Sequence, residues 1–153
     1  MIIGIPKEIM PGENRVAAIP ETVKKMVDSG ATVLFGEGAG TGSHYSDDSY
    51  RAEGAVIVKD VEELFVRSEV ILKVKEPLHN QTSGCHELEM MHEGQYLISF
   101  LHPASPANHK MVSLMAERGI IGLTLDGVPR ISRAQPMDAL SSMSACAGYK
   151  GMI

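Results

Sequence analysis

At 153 residues, 44% hydrophobic and 22% charged, the chain is long enough for one globular domain with a substantial core and too evenly balanced to be disordered or fibrous. Its formal charge of -5, with lysines and arginines scattered instead of striped, leaves no basic footprint for a phosphate backbone and argues against nucleic acid as a partner. No apolar run approaches the ~18 residues of a membrane span, the N-terminal run is too short for a signal peptide, and Cys85 and Cys146 stand far apart without metal-ligand spacing. The expectation is a soluble, cytoplasmic chain with neither a disulfide nor a metal site.

Short β-branched runs alternate with segments of helical period, the pattern of an α/β fold: an open, mostly parallel sheet with helices on both faces, in the Rossmann-like or flavodoxin-like three-layer manner. The strands are predicted at Ile2–Ile5, Thr32–Phe35, Ala55–Val58, Val70–Val74, Leu97–Phe100 and Ile120–Leu125; several are apolar throughout, as strands covered on both faces are. Pro20 and Glu21 open a helix whose Val23, Met26 and Val27 share one face and which Gly30 ends. A second helix runs from Pro106 to Arg118, with Met111, Leu114 and Met115 inward and Gly119 as its stop. Weaker helical signals lie at Asp47–Glu53, Val61–Arg67 and His86–Met91, and Pro77–Gly84 reads as a long polar connection. The ten methionines read as core filler. Residues 1–137 form one domain, and 138–153 read as the start of a helix that continues towards a second domain.

The run Gly36-Glu37-Gly38-Ala39-Gly40-Thr41-Gly42 follows a strand and invites a dinucleotide-binding reading. No register of its glycines satisfies G-x-G-x-x-G, and the polar His44-Tyr45-Ser46-Asp47-Asp48 follows where a helix should begin, so a flexible loop near a cleft is expected instead. Three polar side chains stand at or just beyond strand ends, where open α/β sheets keep their ligand crevice: Arg15, Lys75 and His102. Arg15 suits a bidentate pair with a substrate carboxylate, Lys75 the polarisation of a carbonyl, and His102 proton exchange. The histidines His79, His86, His92 and His109 share no spacing and read as surface residues.

The least ordinary segment is Val128 to Met143, which gathers Arg130, Arg133, Gln135, Asp138 and Ser141 in a loop running into a helix. Pro136 and Asp138 fit the opening of that helix. Capping leaves the arginines and the glutamine without a role, whereas a polar loop offered to a ligand uses them all.

Several motifs in order, Ile3-Gly4-Ile5-Pro6-Lys7-Glu8, Glu13-Asn14-Arg15-Val16-Ala17, Gly36-Glu37-Gly38-Ala39-Gly40 and Leu72-Lys73-Val74-Lys75-Glu76-Pro77, resemble the N-terminal domain shared by alanine dehydrogenase and the transhydrogenase α subunit. The resemblance implies an oxidoreductase that uses NAD, bound mainly by a separate G-x-G-x-x-G domain. It implies that Arg15, Lys75 and His102 bind pyruvate and assist proton transfer, as in alanine dehydrogenase. It also implies that Arg130, Gln135, Asp138 and Ser141 reach the nicotinamide end of NAD(H), as in transhydrogenase, with Asp138 counted among the catalytic groups.

The leading expectation is the NAD(H)-binding α component of an NAD(P) transhydrogenase, passing hydride to NADP on a partner component. Such a chain is a homo-oligomer that sits peripherally on the cytoplasmic face of the inner membrane through a membrane-embedded partner subunit. The alternative is an alanine dehydrogenase acting on pyruvate or alanine. A third reading is a non-catalytic binding or assembly module. The chain on its own is expected to be inactive.

Overall fold

The computed structural model describes residues 1–152. Its elements run β1 (Ile2–Ile5), α1 (Pro20–Asp28), β2 (Thr32–Gly36), α2 (Asp47–Ala52), β3 (Val56–Val58), α3 (Val61–Arg67), β4 (Val70–Leu72), β5 (His79–Asn80), β6 (Cys85–His86), β7 (Tyr96–Ser99), α4 (His109–Glu117), β8 (Ile121–Thr124) and α5 (Ala139–Gly151). Six strands form a wholly parallel sheet in the order β3-β2-β1-β4-β7-β8. With the small β5–β6 hairpin set aside, this is the 3-2-1-4-5-6 order of a doubly wound sheet, and the winding reverses between β1 and β4, where such sheets open their ligand crevice.

Alternation along the strands divides the core into two layers. Ile3, Ile5, Val33 and Phe35 face α1 and α2, meeting Val23 and Tyr50; Tyr50 stacks on Phe35 with ring centroids 3.7 Å apart and donates its hydroxyl to the Ala18 carbonyl at 3.1 Å. Leu34, Ile71 and Leu97 face the other way, against Leu64 and Phe65 of α3 and Met111 and Met115 of α4. Gly4 lies where any β-carbon would meet Leu64 Cδ2 and Ile71 Cδ1 at 2.9 Å, so only glycine lets α3 close on β1. The layers cover the sheet unevenly. On β7 and β8 the face that α1 and α2 cover elsewhere is bare, leaving Tyr96, Ile121 and Leu123 42%, 41% and 49% exposed.

All six predicted strands form, with ends shifted by a residue or two. The exception in kind is the expected strand Val70–Val74, which stops at Leu72 because Lys73 turns into the protein. The polar connection Pro77–Gly84 contains β5 and leads into β6, where the Asn80 carboxamide oxygen accepts the Thr82 amide and closes the turn. The expected helix His86–Met91 is instead a 3-10 turn over Glu87–Met90, in which the His86 ring accepts the Leu88 amide and Glu89 returns to the His86 amide. His86 is thus a half-buried cap whose basicity burial lowers, not a free surface residue. The methionines divide: Met90, Met91, Met111 and Met115 fill the core, while Met1, Met137 and Met152 lie exposed. Helix α5 forms as predicted up to Gly151; Ile153 lies outside the described residues.

One charged cluster pins the end of the sheet. Lys73 Nζ sits 2.9 Å from Glu87 Oε1 and 3.3 Å from Glu8 Oε2, and all three side chains are buried. The remaining oxygens are used as well. Glu8 accepts the amides of Val74 at 2.6 Å and Lys75 at 3.4 Å, and Glu87 accepts that of Leu78 at 2.9 Å. Burial pushes the Glu8 carboxyl above its ordinary value, against the opposing pull of Lys73. Lys73→Met leaves two carboxylates buried without their cation, which is expected to cost about 3–5 kcal/mol at neutral pH. In that variant the native state takes up protons that the unfolded chain releases, so its stability should rise as pH falls from 7 towards 5. Denaturant melts at both pH values check this; a variant equally stable at each would contradict it.

Candidate functional site

Each candidate group follows a strand at the C-terminal edge of the sheet, and each is held by a different local device. After β1 the chain makes a long loop, Pro6 to Ile19, before α1. Arg15 on this loop is gripped by Glu13: Nε donates to Oε1 at 2.8 Å and Nη2 to Oε2 at 2.6 Å. That grip occupies the Nε–Nη2 edge of the guanidinium, so the bidentate pair expected for a substrate carboxylate has only the opposite edge left. There Nη1 approaches the Met143 sulfur of α5 at 3.5 Å. The hydrogen bond from Arg15 draws the Glu13 carboxyl from 4.5 down to about 2, with Lys75 adding to the pull.

The glycine-rich run supports this loop and does not sway freely. A β-carbon on Gly42 would meet the Asn14 backbone at 2.7 Å, and one on Gly40 would meet Tyr50 at 2.5 Å, so the two segments pack closely only as glycine. Ser43 donates to the Asn14 carbonyl at 2.8 Å, and the Gly38 amide is already taken by Asp47 at 2.9 Å. This corrects the expectation of a flexible loop. Together the two loops enclose a cavity of about 180 Å³ lined by Glu8, Glu13, Arg15 and Thr41 among others.

Lys75 follows β4, half-buried in a bend that the Glu8 carboxylate fixes through the amides on either side. His102 follows β7 with φ of 45°, a left-handed backbone that a residue with a β-carbon adopts only under restraint. The restraint is visible. The His102 amide donates to Asp126 Oδ2 at 2.8 Å, its Nδ1 lies 2.9 Å from Asp126 Oδ1, and Asn108 donates to the Leu101 carbonyl at 2.9 Å. Burial pushes the Asp126 carboxyl up, yet hydrogen bonds from the Thr124 hydroxyl and the His102 amide, with the imidazole nearby, outweigh it and leave the group below its ordinary value. The ring borders a cavity of about 560 Å³ walled by Pro103, Ala104, Ser105 and Thr124.

The loop after β8 passes through a 3-10 turn, Ser132–Met137, anchored by buried Ala134, before α5 begins. Asp138 caps α5, accepting the amides of Leu140 and Ser141 at 3.1 and 3.2 Å and the Ser141 hydroxyl at 2.6 Å. That hydroxyl bond holds the Asp138 carboxyl below its ordinary value. Arg130, Ser132, Gln135, Asp138 and Ser141 line one polar cavity of about 230 Å³, whereas Arg133 stays outside it.

The seven candidate residues therefore fall into three groups. Arg130, Gln135, Asp138 and Ser141 share a cavity. Arg15 and Lys75 follow the two central strands and both act on Glu13, and His102 lines a separate cavity one strand further along. Four supporting residues carried no assigned role in the sequence: Glu8, Glu13, Thr124 and Asp126. Asp126 was detectable, since it follows β8, the strand that pairs with β7, and so must lie beside His102.

Residues 4–147 match the family model described as alanine dehydrogenase/PNT, N-terminal domain. The chain belongs to this family. It is 40% identical over its whole length to the first of the chains that make up the NAD(P) transhydrogenase α subunit of Rhodospirillum rubrum, spanning 39% of that relative. It is 38% identical over 97% of its length to an alanine dehydrogenase of Methanococcus maripaludis, spanning 37% of that one. Among solved structures, a transhydrogenase from Sinorhizobium meliloti superposes with a TM-score of 0.86 at 36% identity over 97% of this chain and 42% of the other. An L-alanine dehydrogenase gives 0.76 at 30% identity over 88% and 34%. The chain thus spans well under half the length of these relatives. Among the described residues no helix is long and apolar enough to cross a membrane.

In this alanine dehydrogenase/PNT domain the Glu13–Arg15 grip should be measurable directly. The Glu13 side-chain carbon should titrate near pH 2 by NMR, and Arg15→Ala should return the midpoint towards 4.5. Because the folded value is depressed, the pair's contribution to stability is complete above the unfolded value and is lost as pH falls through about 2. A wild-type midpoint near 4.5 would contradict the grip.

Proposed function

We propose that the chain is the N-terminal domain of a nicotinamide-dependent hydride-transfer enzyme, the NAD(H)-binding α component of an NAD(P) transhydrogenase. The observation that carries this reading is the shared cavity of Arg130, Gln135, Asp138 and Ser141, on a chain 40% identical throughout to a transhydrogenase α chain. These groups fit the nicotinamide end of the cofactor. A side-chain amide such as Gln135 pairs as donor and acceptor with a carboxamide, and Arg130 and Ser141 add donors. They do not fit its pyrophosphate, since the glycine loop's Gly38 amide is spent on Asp47. The cofactor's phosphates then belong to another domain, with residues 138–153 starting the helix that leads there and residues 1–137 forming the domain described.

A bound nicotinamide supplies or accepts the hydride; the chain's task is orientation. Asp138 holds the first turn of α5 and aims the Ser141 hydroxyl, and Gln135 and Arg130 fix the ring's rotation in the cavity. NADP sits on a partner component that faces the same loop, and that partner is membrane-embedded. The full protein works on the cytoplasmic side as a homo-oligomer.

A second reading, alanine dehydrogenase, is favoured by one specific feature, the restrained His102 beside Asp126. In it Arg15 holds the carboxylate of pyruvate through its free edge, Lys75 binds the carbonyl oxygen, and His102 exchanges the proton.

The two readings separate in the intact enzyme. NADH oxidation by pyruvate with ammonia is compared with transfer to an NADP analogue in the presence of the partner component. Transhydrogenation that falls about 100-fold in Gln135→Ala and is indifferent to His102→Ala supports the first reading. Turnover with pyruvate that is lost in Lys75→Ala and His102→Ala, with Gln135→Ala unaffected, replaces it with the second.

A further inference from the structure

We infer that Asp126, with Thr124 behind it, is a positioning residue that fixes His102 in one tautomer and turns it into a one-sided proton carrier. The inference rests on the alanine dehydrogenase reading for the use of that proton, while the tautomer itself is a property of this chain.

Three strands of geometry meet at one carboxylate. Oδ1 lies 2.9 Å from His102 Nδ1. A carboxylate accepts hydrogen bonds and does not donate them, so in the neutral ring Nδ1 carries the hydrogen and Nε2 keeps its lone pair. Oδ2 accepts both the His102 amide at 2.8 Å and the Thr124 hydroxyl at 2.7 Å, so the carboxylate is clamped from the backbone of one strand end and the side chain of the next. The Thr124 oxygen in turn accepts the Leu101 amide at 3.2 Å. Every polar atom in the chain Leu101, Thr124, Asp126, His102 is therefore used except Nε2.

The backbone makes the same point. His102 stands at φ 45°, one of two non-glycine residues so placed, and the cost of that conformation is met by the bonds just described and by the Phe100 ring lying nearly parallel, 6.0 Å from the imidazole. The other, His44, ends a 3-10 turn on the surface and has no carboxylate partner of this kind. The His102 ring is 43% exposed against 21% for Asp126, so the carboxylate is the sheltered member and the imidazole borders the cavity of Pro103, Ala104 and Ser105.

The proton balance is simple. Nε2 takes a proton from the substrate, the Nδ1 hydrogen stays in its bond to Asp126, and the positive ring that results is offset by a carboxylate already in place. In the reverse direction Nε2 returns that proton, and no other group changes charge.

Asp126→Asn keeps the size and the acceptor for the His102 amide, but it can offer its NH2 to Nδ1 and so favours the Nε2–H tautomer. Nitrogen-15 histidine NMR on the chain should show His102 as Nδ1–H in the wild type and as Nε2–H in Asp126→Asn. Thr124→Val, which removes only the hydroxyl that aims the carboxylate, should move the same signals in the same direction by less. In the intact enzyme, kcat for reductive amination of pyruvate should fall about 100-fold in Asp126→Asn with KM for pyruvate little changed, since Arg15 and not His102 holds the carboxylate. A wild-type ring protonated at Nε2, a tautomer that does not respond to Asp126→Asn, or a switched tautomer with undiminished turnover would overturn the inference. An intact wild-type enzyme without pyruvate turnover would defeat the alanine dehydrogenase reading alone, and the NMR result would still decide whether Asp126 sets the tautomer.

Discussion

The buried cation of Lys73 between Glu8 and Glu87 is the constraint on which the functional edge of this domain depends. A charge is expensive to bury unless every lone pair and proton around it is used, and here that condition draws three separate segments to one point. Glu8 comes from the loop after β1, Lys73 from the end of β4, and Glu87 from the turn after the hairpin. Meeting it stops β4 early, bends the chain at Val74 and Lys75, and ties the hairpin down through Leu78. The bend that offers Lys75 to the crevice is a by-product of satisfying those carboxylates.

The same economy recurs at the other strand ends. Arg15 is set by Glu13, His102 by Asp126, and Ser141 by Asp138, so each exposed polar group with a candidate role is backed by a carboxylate that is itself accounted for. Preorganisation of this kind removes the entropy of finding a geometry before the reacting partners arrive. It also explains why the groups stay in separate cavities in this domain. Each is fixed in place and waits for a second surface to close the gap between them, a task suited to two domains moving together.

Much of the fold was legible because the central strands are covered on both faces and so read as unbroken β-branched runs, and because Pro20, Gly30 and Gly119 mark helix ends. The hairpin was not, since its strands are two residues each and its turn depends on one asparagine side chain. The segment after it carries helical spacing, but Glu87 is drawn inward to Lys73 and His86 caps its own turn, which leaves room only for a 3-10 turn. Among the candidate residues, position at a strand end identified Arg15, Lys75 and His102. Their partners were harder to see: Asp126 is 24 residues from His102, and Glu8 lies far from Lys73 in the chain, with only the parallel pairing of β1 and β4 to bring them together. The glycine loop misled in the opposite direction, for its glycines serve close packing against Asn14 and Tyr50, not a ligand.

The central claim is that this domain supplies side chains to the reacting end of a nicotinamide cofactor while the cofactor's phosphates are held elsewhere. Calorimetric titration of the chain with NADH tests it most directly. The account predicts no association tighter than a Kd of about 1 mM, the level expected when a few polar groups meet one ring. Micromolar binding would contradict it and would mean that a phosphate site exists within these residues.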